Sequence, residues 1–204
     1  MKRFLLLLVF LSQLVFADDS YLIDDSLAMA RQGEFVRASN LIVDLANNGD
    51  STAQYVLSMY FRDPNALNIP EVGEMWLMRA AENNNAKAQY DLGWRLAAGW
   101  KNDTVEDIVE MIYWFERATF NGSDDAYANL ATLYDNQHRN VLLEMEVAAN
   151  NGNAMAQFNL GWINARGLMS SEGLMQDMEV AKAWFEKSAK LGFKDAIEVL
   201  EKNF

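Results

Sequence analysis

The chain has 204 residues, 29 acidic against 17 basic side chains, a net charge of −12, one histidine and no cysteine. That balance disfavours nucleic acid and anionic lipid as partners, because Lys/Arg patches hold both. The missing cysteine excludes disulfides, thiol chemistry and thiolate metal sites, so a domain or array of this length, 51% apolar, must hold itself by packing.

Residues 1–17 form a separate object. Lys2 and Arg3 precede an apolar run from Phe4 to Phe10, which Leu11, Leu14, Val15 and Phe16 extend. Val15-Phe16-Ala17 then offers a small-residue cleavage site before Asp18-Asp19. This is the pattern of a secretory signal peptide. It is shorter than the ~20 residues a spanning helix needs, and Ser12 and Gln13 interrupt it. The expectation is a cleaved 1–17 and a single helical-repeat domain over 18–204.

Hydrophobic periodicity predicts helices over 20–32, 34–48, 51–63, 71–83, 86–98, 105–121, 124–135, 139–151, 154–166, 177–191 and 194–203. Ser51-Thr52-Ala53-Gln54 and Thr104-Val105-Glu106-Asp107 read as capping boxes. Pro64 and Pro70 bracket a non-helical loop. Loops over 99–103 and 167–176 differ in length, and 135–140 is short.

Laid over these helices is a phased pattern. A glycine or asparagine is followed by Ala at +4 and Leu at +8 five times: Gly49/Ala53/Leu57, Asn84/Ala88/Leu92, Gly122/Ala126/Leu130, Gly152/Ala156/Leu160 and Gly192/Ala196/Leu200. The anchors lie 35, 38, 30 and 40 residues apart, the spacing of a helical repeat. Eight residues before each anchor stand Leu41, Trp76, Trp114, Glu144 and Trp184, followed one turn later by small residues. Each unit therefore reads as two amphipathic helices joined by a turn. Gly93 and Gly161 fall mid-helix, where glycine costs about 1 kcal/mol relative to alanine. Close approach by a neighbouring helix is the expected compensation.

The run Ala86-Lys87-Ala88-Gln89-Tyr90-Asp91-Leu92-Gly93-Trp94 nearly repeats as Ala154-Met155-Ala156-Gln157-Phe158-Asn159-Leu160-Gly161-Trp162. With Trp76 to Ala81 and Trp184 to Ala189 it resembles the SEL-one-like repeat, a relative of the tetratricopeptide repeat. The resemblance spans roughly residues 34–204 and is poorest in the unit ending at Gly152, where Glu144 replaces the Trp. It implies an all-α fold, a right-handed solenoid of antiparallel helix pairs, with about five pairs plus a C-terminal capping helix. It also implies adaptor-type function.

The residues carry no catalytic constellation. His138 is the sole histidine and lies in a polar turn without an oriented partner. Acidic pairs such as Asp24-Asp25 and Asp124-Asp125 read as solvated or helix-start charges. No phosphate loop or metal loop is visible, and no cofactor is expected. The expected working part is a surface. If the first helix of each pair lines a groove, as in tetratricopeptide-like arrays, the facing residues are Tyr55 and Met59, then Lys87, Tyr90 and Trp94. After them come Asp125, Ala128 and Thr132, then Met155, Phe158 and Trp162. Aromatics and Met anchor interfaces. Tyr55, Tyr90 and Phe158 could equally pack between repeats, whereas Trp94 and Trp162 are expected to face a partner.

The expected protein is a monomer that is exported, in a Gram-negative periplasm or secreted, and binds a protein partner. Within that class an immunity protein neutralising a periplasm-acting toxin competes with an envelope assembly or signalling adaptor. Some members of the family sit beside secreted phospholipase effectors, and an acidic surface suits capture of a basic toxin. A hydrolase is the remaining alternative, disfavoured by the missing nucleophile–base set.

Overall fold

The computed structural model of the chain describes residues 19–99, 104–134, 139–167 and 176–204. The expected signal peptide, His138 and most of the three loops at 99–103, 135–140 and 167–176 lie outside them. The described residues form eleven helices and no strand. They are α1 (Ser20–Arg31), α2 (Phe35–Asn47), α3 (Ser51–Arg62), α4 (Pro70–Glu82), α5 (Ala86–Gly99) and α6 (Val105–Phe120). Then follow α7 (Asp124–Tyr134), α8 (Arg139–Asn150), α9 (Ala154–Arg166), α10 (Met178–Lys190) and α11 (Lys194–Asn203). Each stands within a residue or two of its expected position. The fold is all-α, with helices packed in consecutive pairs as in tetratricopeptide-like repeats.

The five anchors share one turn. Gly49, Asn84, Gly122, Gly152 and Gly192 all have positive φ, between 64° and 96°. Only Gly enters that region without cost, and Asn tolerates it. At each turn the anchor N–H returns to the carbonyl three residues back, and the next N–H to the carbonyl five back. Gly49 thus donates to Ala46 and Asp50 to Leu45, and Gly152 to Ala149 and Asn153 to Ala148. This is the Schellman ending, which satisfies carbonyls a helix terminus leaves open. The residue after the anchor caps the following helix. Asp50, Asn85, Ser123 and Asn153 accept from the backbone N–H of the repeat Ala three residues on. The first expected capping box is not formed: Asp50 rather than Ser51 is the cap, and Ala53 at the third helical position has no polar side chain to return a bond. The second is present, with Thr104 and Asp107 bonding reciprocally.

A buried side chain closes three of these turns. Gln54, Gln89 and Gln157, five residues past their anchors, donate Nε2–H at 2.8 Å to the carbonyls of Ala46, Ala81 and Ala149. A buried carbonyl left unpaired would cost about 1–3 kcal/mol, so each glutamine fixes one helix against the next. Gln89 is satisfied at its other end by Asn121, whose Nδ2–H reaches Gln89 Oε1 at 2.9 Å.

The chain divides into two compact units, one up to Arg79 and one from Ala80. In the first, Ala38, Ile42, Ala46, Ala53, Val56, Leu57, Tyr60 and Trp76 form the core. Ser26 is buried there and donates to the Ala38 carbonyl while bonding the Tyr60 hydroxyl.

In the second unit α5 packs mainly on α6, and α9 on α10. The mid-helix glycines explain the intimacy. A Cβ on Gly93 would lie 2.7 Å from Cδ1 of Phe115, and one on Gly161 would lie 2.6 Å from Cδ1 of Phe185. The missing methyl is the space a phenylalanine ring of the next helix occupies. The pair α7–α8 departs from this scheme and makes few mutual contacts. Instead α6 reaches past it to α9. Asn159 Nδ2–H donates to the Val109 carbonyl at 2.8 Å, and Arg166 pairs with the fully buried Glu116. The unit whose motif is weakest is thus the one that stands aside. The repeat Leu is buried in Leu57, Leu130 and Leu160 but half-buried at Leu92 and Leu200.

Candidate functional site

The residues expected to face a partner differ in exposure. Tyr55 and Met59 are half-buried on α3 of the first unit. On α5, Lys87 and Trp94 are exposed while Tyr90 turns inward. The Tyr90 ring meets Phe115 at 5.8 Å, and its hydroxyl accepts from Asn129. On α7, Asp125, Ala128 and Thr132 are exposed. On α9, Met155 is half-buried against the core, and Phe158, 2% exposed, is buried among Tyr113, Trp162, Phe185 and Phe193. Tyr90 and Phe158, two before their repeat Leu, therefore point inward, because the pair's second helix supplies Phe115 or Phe185 beneath them. The expectation of a partner-facing Phe158 is corrected on that ground.

Two clefts in the second unit gather the remainder. Trp94, 53% exposed, borders an apolar cleft of about 290 Å³ with Ala97, Ala98, Met111, Phe115, Asn129, Thr132 and Leu133. Two expected residues, Trp94 and Thr132, meet here from different repeats. A large exposed indole beside apolar walls suits insertion of a partner's apolar side chain.

The second cleft, about 180 Å³, lies between α6, α9 and α11. Phe120, Phe158, Trp162 and Val199 form its apolar wall, and Arg117, Asp195, Glu198 and Lys202 its charged rim. Trp162 is half-buried, with its ring tilted against Phe120 at 5.3 Å, edge-to-face with Phe185 at 5.4 Å and capped by the Arg166 guanidinium at 4.9 Å. It is thus held in the packing and offers a partner much less surface than Trp94. Arg117 donates to Tyr113 Oη at 2.8 Å and Asn84 Oδ1 at 2.6 Å, and pairs with Asp195 at 3.0 Å. The Tyr113 hydroxyl in turn donates to Asp195. Burial pushes the Tyr113 phenol up to about 12, against the opposing pull of Arg117. Lys202 holds the exposed Glu198 carboxyl below the usual range.

Sequence reasoning missed Arg117, Phe120, Asp195 and the Glu116–Arg166 pair. Arg117, Glu116 and Asp195 share their repeat positions with Arg79 and Lys187, with Glu146 and Glu186, and with Asp125, so periodicity reads them as ordinary solvated charges and carries no signal for the partners they find. Among the described residues, no cluster of His, Cys, Asp and Glu could hold a metal ion, and no helix is long and apolar enough to cross a membrane.

Residues 86–119 and 154–193 match the model of the Sel1 repeat, and these segments are the pairs α5–α6 and α9–α10. No curated protein matches the chain. Among solved structures it is similar to a Sel1 repeat protein from Oxalobacter formigenes, at 21% identity over 88% of this chain and 78% of that one, TM-score 0.48. It is also similar to c5321, a protective antigen of uropathogenic Escherichia coli displaying an SLR fold. That match has 25% identity, covers 79% of this chain and 35% of that one, and has a TM-score of 0.41. Sel1 repeats generally mediate protein–protein contacts, and their scaffolds are usually non-catalytic. The chain is thus an all-α helical-repeat protein in which two helix pairs match the Sel1 repeat, in register with its own glycine turns.

Proposed function

We propose that this protein is an exported, non-enzymatic binder of another protein, and that its contact is centred on Trp94. One observation carries the reading: the largest side chain type available stands exposed on the first helix of a Sel1 repeat, over an apolar cleft that a second repeat completes. Interface energy concentrates in such aromatic anchors. The pattern of residues 1–17 supports export, with the mature chain beginning at Asp18. The acidic balance supports a basic partner, since opposite charge speeds encounter. An inhibitor of the immunity type, neutralising a periplasm-acting toxin, fits these features. An envelope assembly or signalling adaptor is the competing role.

Tagged protein recovered from the periplasm, with its bound protein identified by mass spectrometry, separates the two roles. A captured toxin, inactivated in proportion to the added chain, supports the inhibitor, and a captured envelope component supports the adaptor. Titration of that partner against Trp94→Ala should show affinity lower by about tenfold or more, with helical content unchanged. Full affinity in Trp94→Ala removes this residue from the interface. An intact Met1 terminus found in membranes overturns export.

A further inference from the structure

The second helices of the repeats follow a rule that α8 inverts. Eight residues before the anchor the rule places an apolar side chain, Leu41, Trp76, Trp114 or Trp184, and five before it a charge, Asp44, Arg79, Arg117 or Lys187. In α8 the first position is Glu144 and the second Val147. The buried stripe of α8 is nevertheless ordinary: Val141, Leu142, Met145 and Ala149 face the core, at the same offsets as Ala38, Ser39, Ile42 and Ala46 in α2. The helix has not rotated. It carries an additional apolar pair on its outer side, Leu143 at 60% and Val147 at 53% exposure, one turn apart and on one face. The pair borders an open groove of about 600 Å³ that Val105, Glu106, Glu144 and Ala148 also line, and among the described residues no basic side chain lines it.

We infer that this groove is a second docking surface, for a protein segment that presents apolar side chains flanked by Lys or Arg. Solvation alone does not account for the swap, because a charge at the Val147 position serves four other repeats. An apolar strip rimmed by carboxylates selects its occupant by both terms: burial drives contact, and Glu106 and Glu144 admit basic flanks and repel acidic ones. The net charge of −12 acts in the same direction at longer range. The surface is distinct from the Trp94 cleft. It shares the protein-binding reading but not that cleft's residues.

The test uses a labelled amphipathic peptide of leucine and lysine at helical spacing, its leucine–glutamate counterpart, and a scramble of the first, each titrated by fluorescence anisotropy. The Lys peptide is expected to bind, the Glu peptide not, and the scramble at least about tenfold more weakly. Leu143→Ser with Val147→Ser should weaken the Lys peptide by about tenfold or more without altering the melting temperature. Glu106→Gln with Glu144→Gln should weaken it and flatten its salt dependence. Trp94→Ala should leave it unchanged, so failure at Trp94 and failure here are separable. Equal binding by the Leu143/Val147 variant marks diffuse attraction to an acidic protein and overturns the proposal. So does no binding of the Lys peptide, or self-association of the free chain in sedimentation that the same variant abolishes.

Discussion

Gly161→Ala isolates the physical basis of the repeat packing. The substitution improves helix propensity by about 1 kcal/mol, so an open site would be stabilised. Here the new methyl would lie 2.6 Å from Cδ1 and 2.8 Å from Cζ of Phe185, well inside contact distance. The ring cannot swing aside cheaply. It is 1% exposed and meets Phe158 at 5.7 Å, Trp162 at 5.4 Å and Phe204 at 6.2 Å. Overpacking of this kind costs about 1–3 kcal/mol, and the upper part of that range applies where neighbours are themselves locked. Less the propensity gain, the expected net loss is about 1–2 kcal/mol. Urea denaturation followed by circular dichroism at 222 nm measures it as a lowered midpoint at unchanged slope. Phe185→Leu shortens the obstructing side chain, so the double variant should be more stable than the two separate losses add up to, by about 1 kcal/mol or more. Gly49→Ala is the control. Its Cβ meets nothing within 4 Å, so its loss comes from φ +96° alone and should not respond to Phe185→Leu. A stabilised Gly161→Ala, or additive losses with Phe185→Leu, refutes the account of glycine as space for the ring.

Leu130→Ala should cost about 2–5 kcal/mol in the same assay, and Leu92→Ala clearly less, because Leu130 is fully buried and Leu92 half-buried. Leu191 stands where the other four turns carry Asn48, Asn83, Asn121 and Asn151, and buried Gln157 Oε1 lacks the donor that Asn121 gives Gln89. Leu191→Asn should therefore raise stability by about 0.5–1.5 kcal/mol, and an unchanged midpoint counts against an Asn–Gln bond at this turn. Tyr113 is neutral in the fold up to about 12 and ionises near 10 when unfolded, so the folded state binds the extra proton between those values. Its contribution is intact below pH 10 and falls as pH rises toward 12. Burial also raises the Tyr60 phenol, so titration at 295 nm should show a late-ionising component that Tyr113→Phe diminishes, and the variant should lose that part of the alkaline slope.

The sequence by itself determined the local grammar of this protein. Gly or Asn at each anchor, a polar residue after it and Ala four on are enough to write the turn, the cap and the start of the next helix, because each is set by backbone φ and by bonds spanning a few residues. Mid-helix Gly93 and Gly161 announced a close neighbour for the same reason. Periodicity also separated the first-helix Trp94 from the repeat Leu two residues before it. What lay beyond it was decided between helices. Whether Trp162 lies open like Trp94 depends on Phe120, Phe185 and Arg166, which come from three helices. The passage of α6 beyond α7–α8 to α9 rests on Glu116–Arg166 and Asn159–Val109, contacts 50 residues apart with no repeated counterpart. A repeat motif records what every unit shares. The clefts, the Tyr113–Arg117–Asp195 network and the outward apolar pair of α8 arise where one unit differs from the others, and only packing in three dimensions shows what that difference touches.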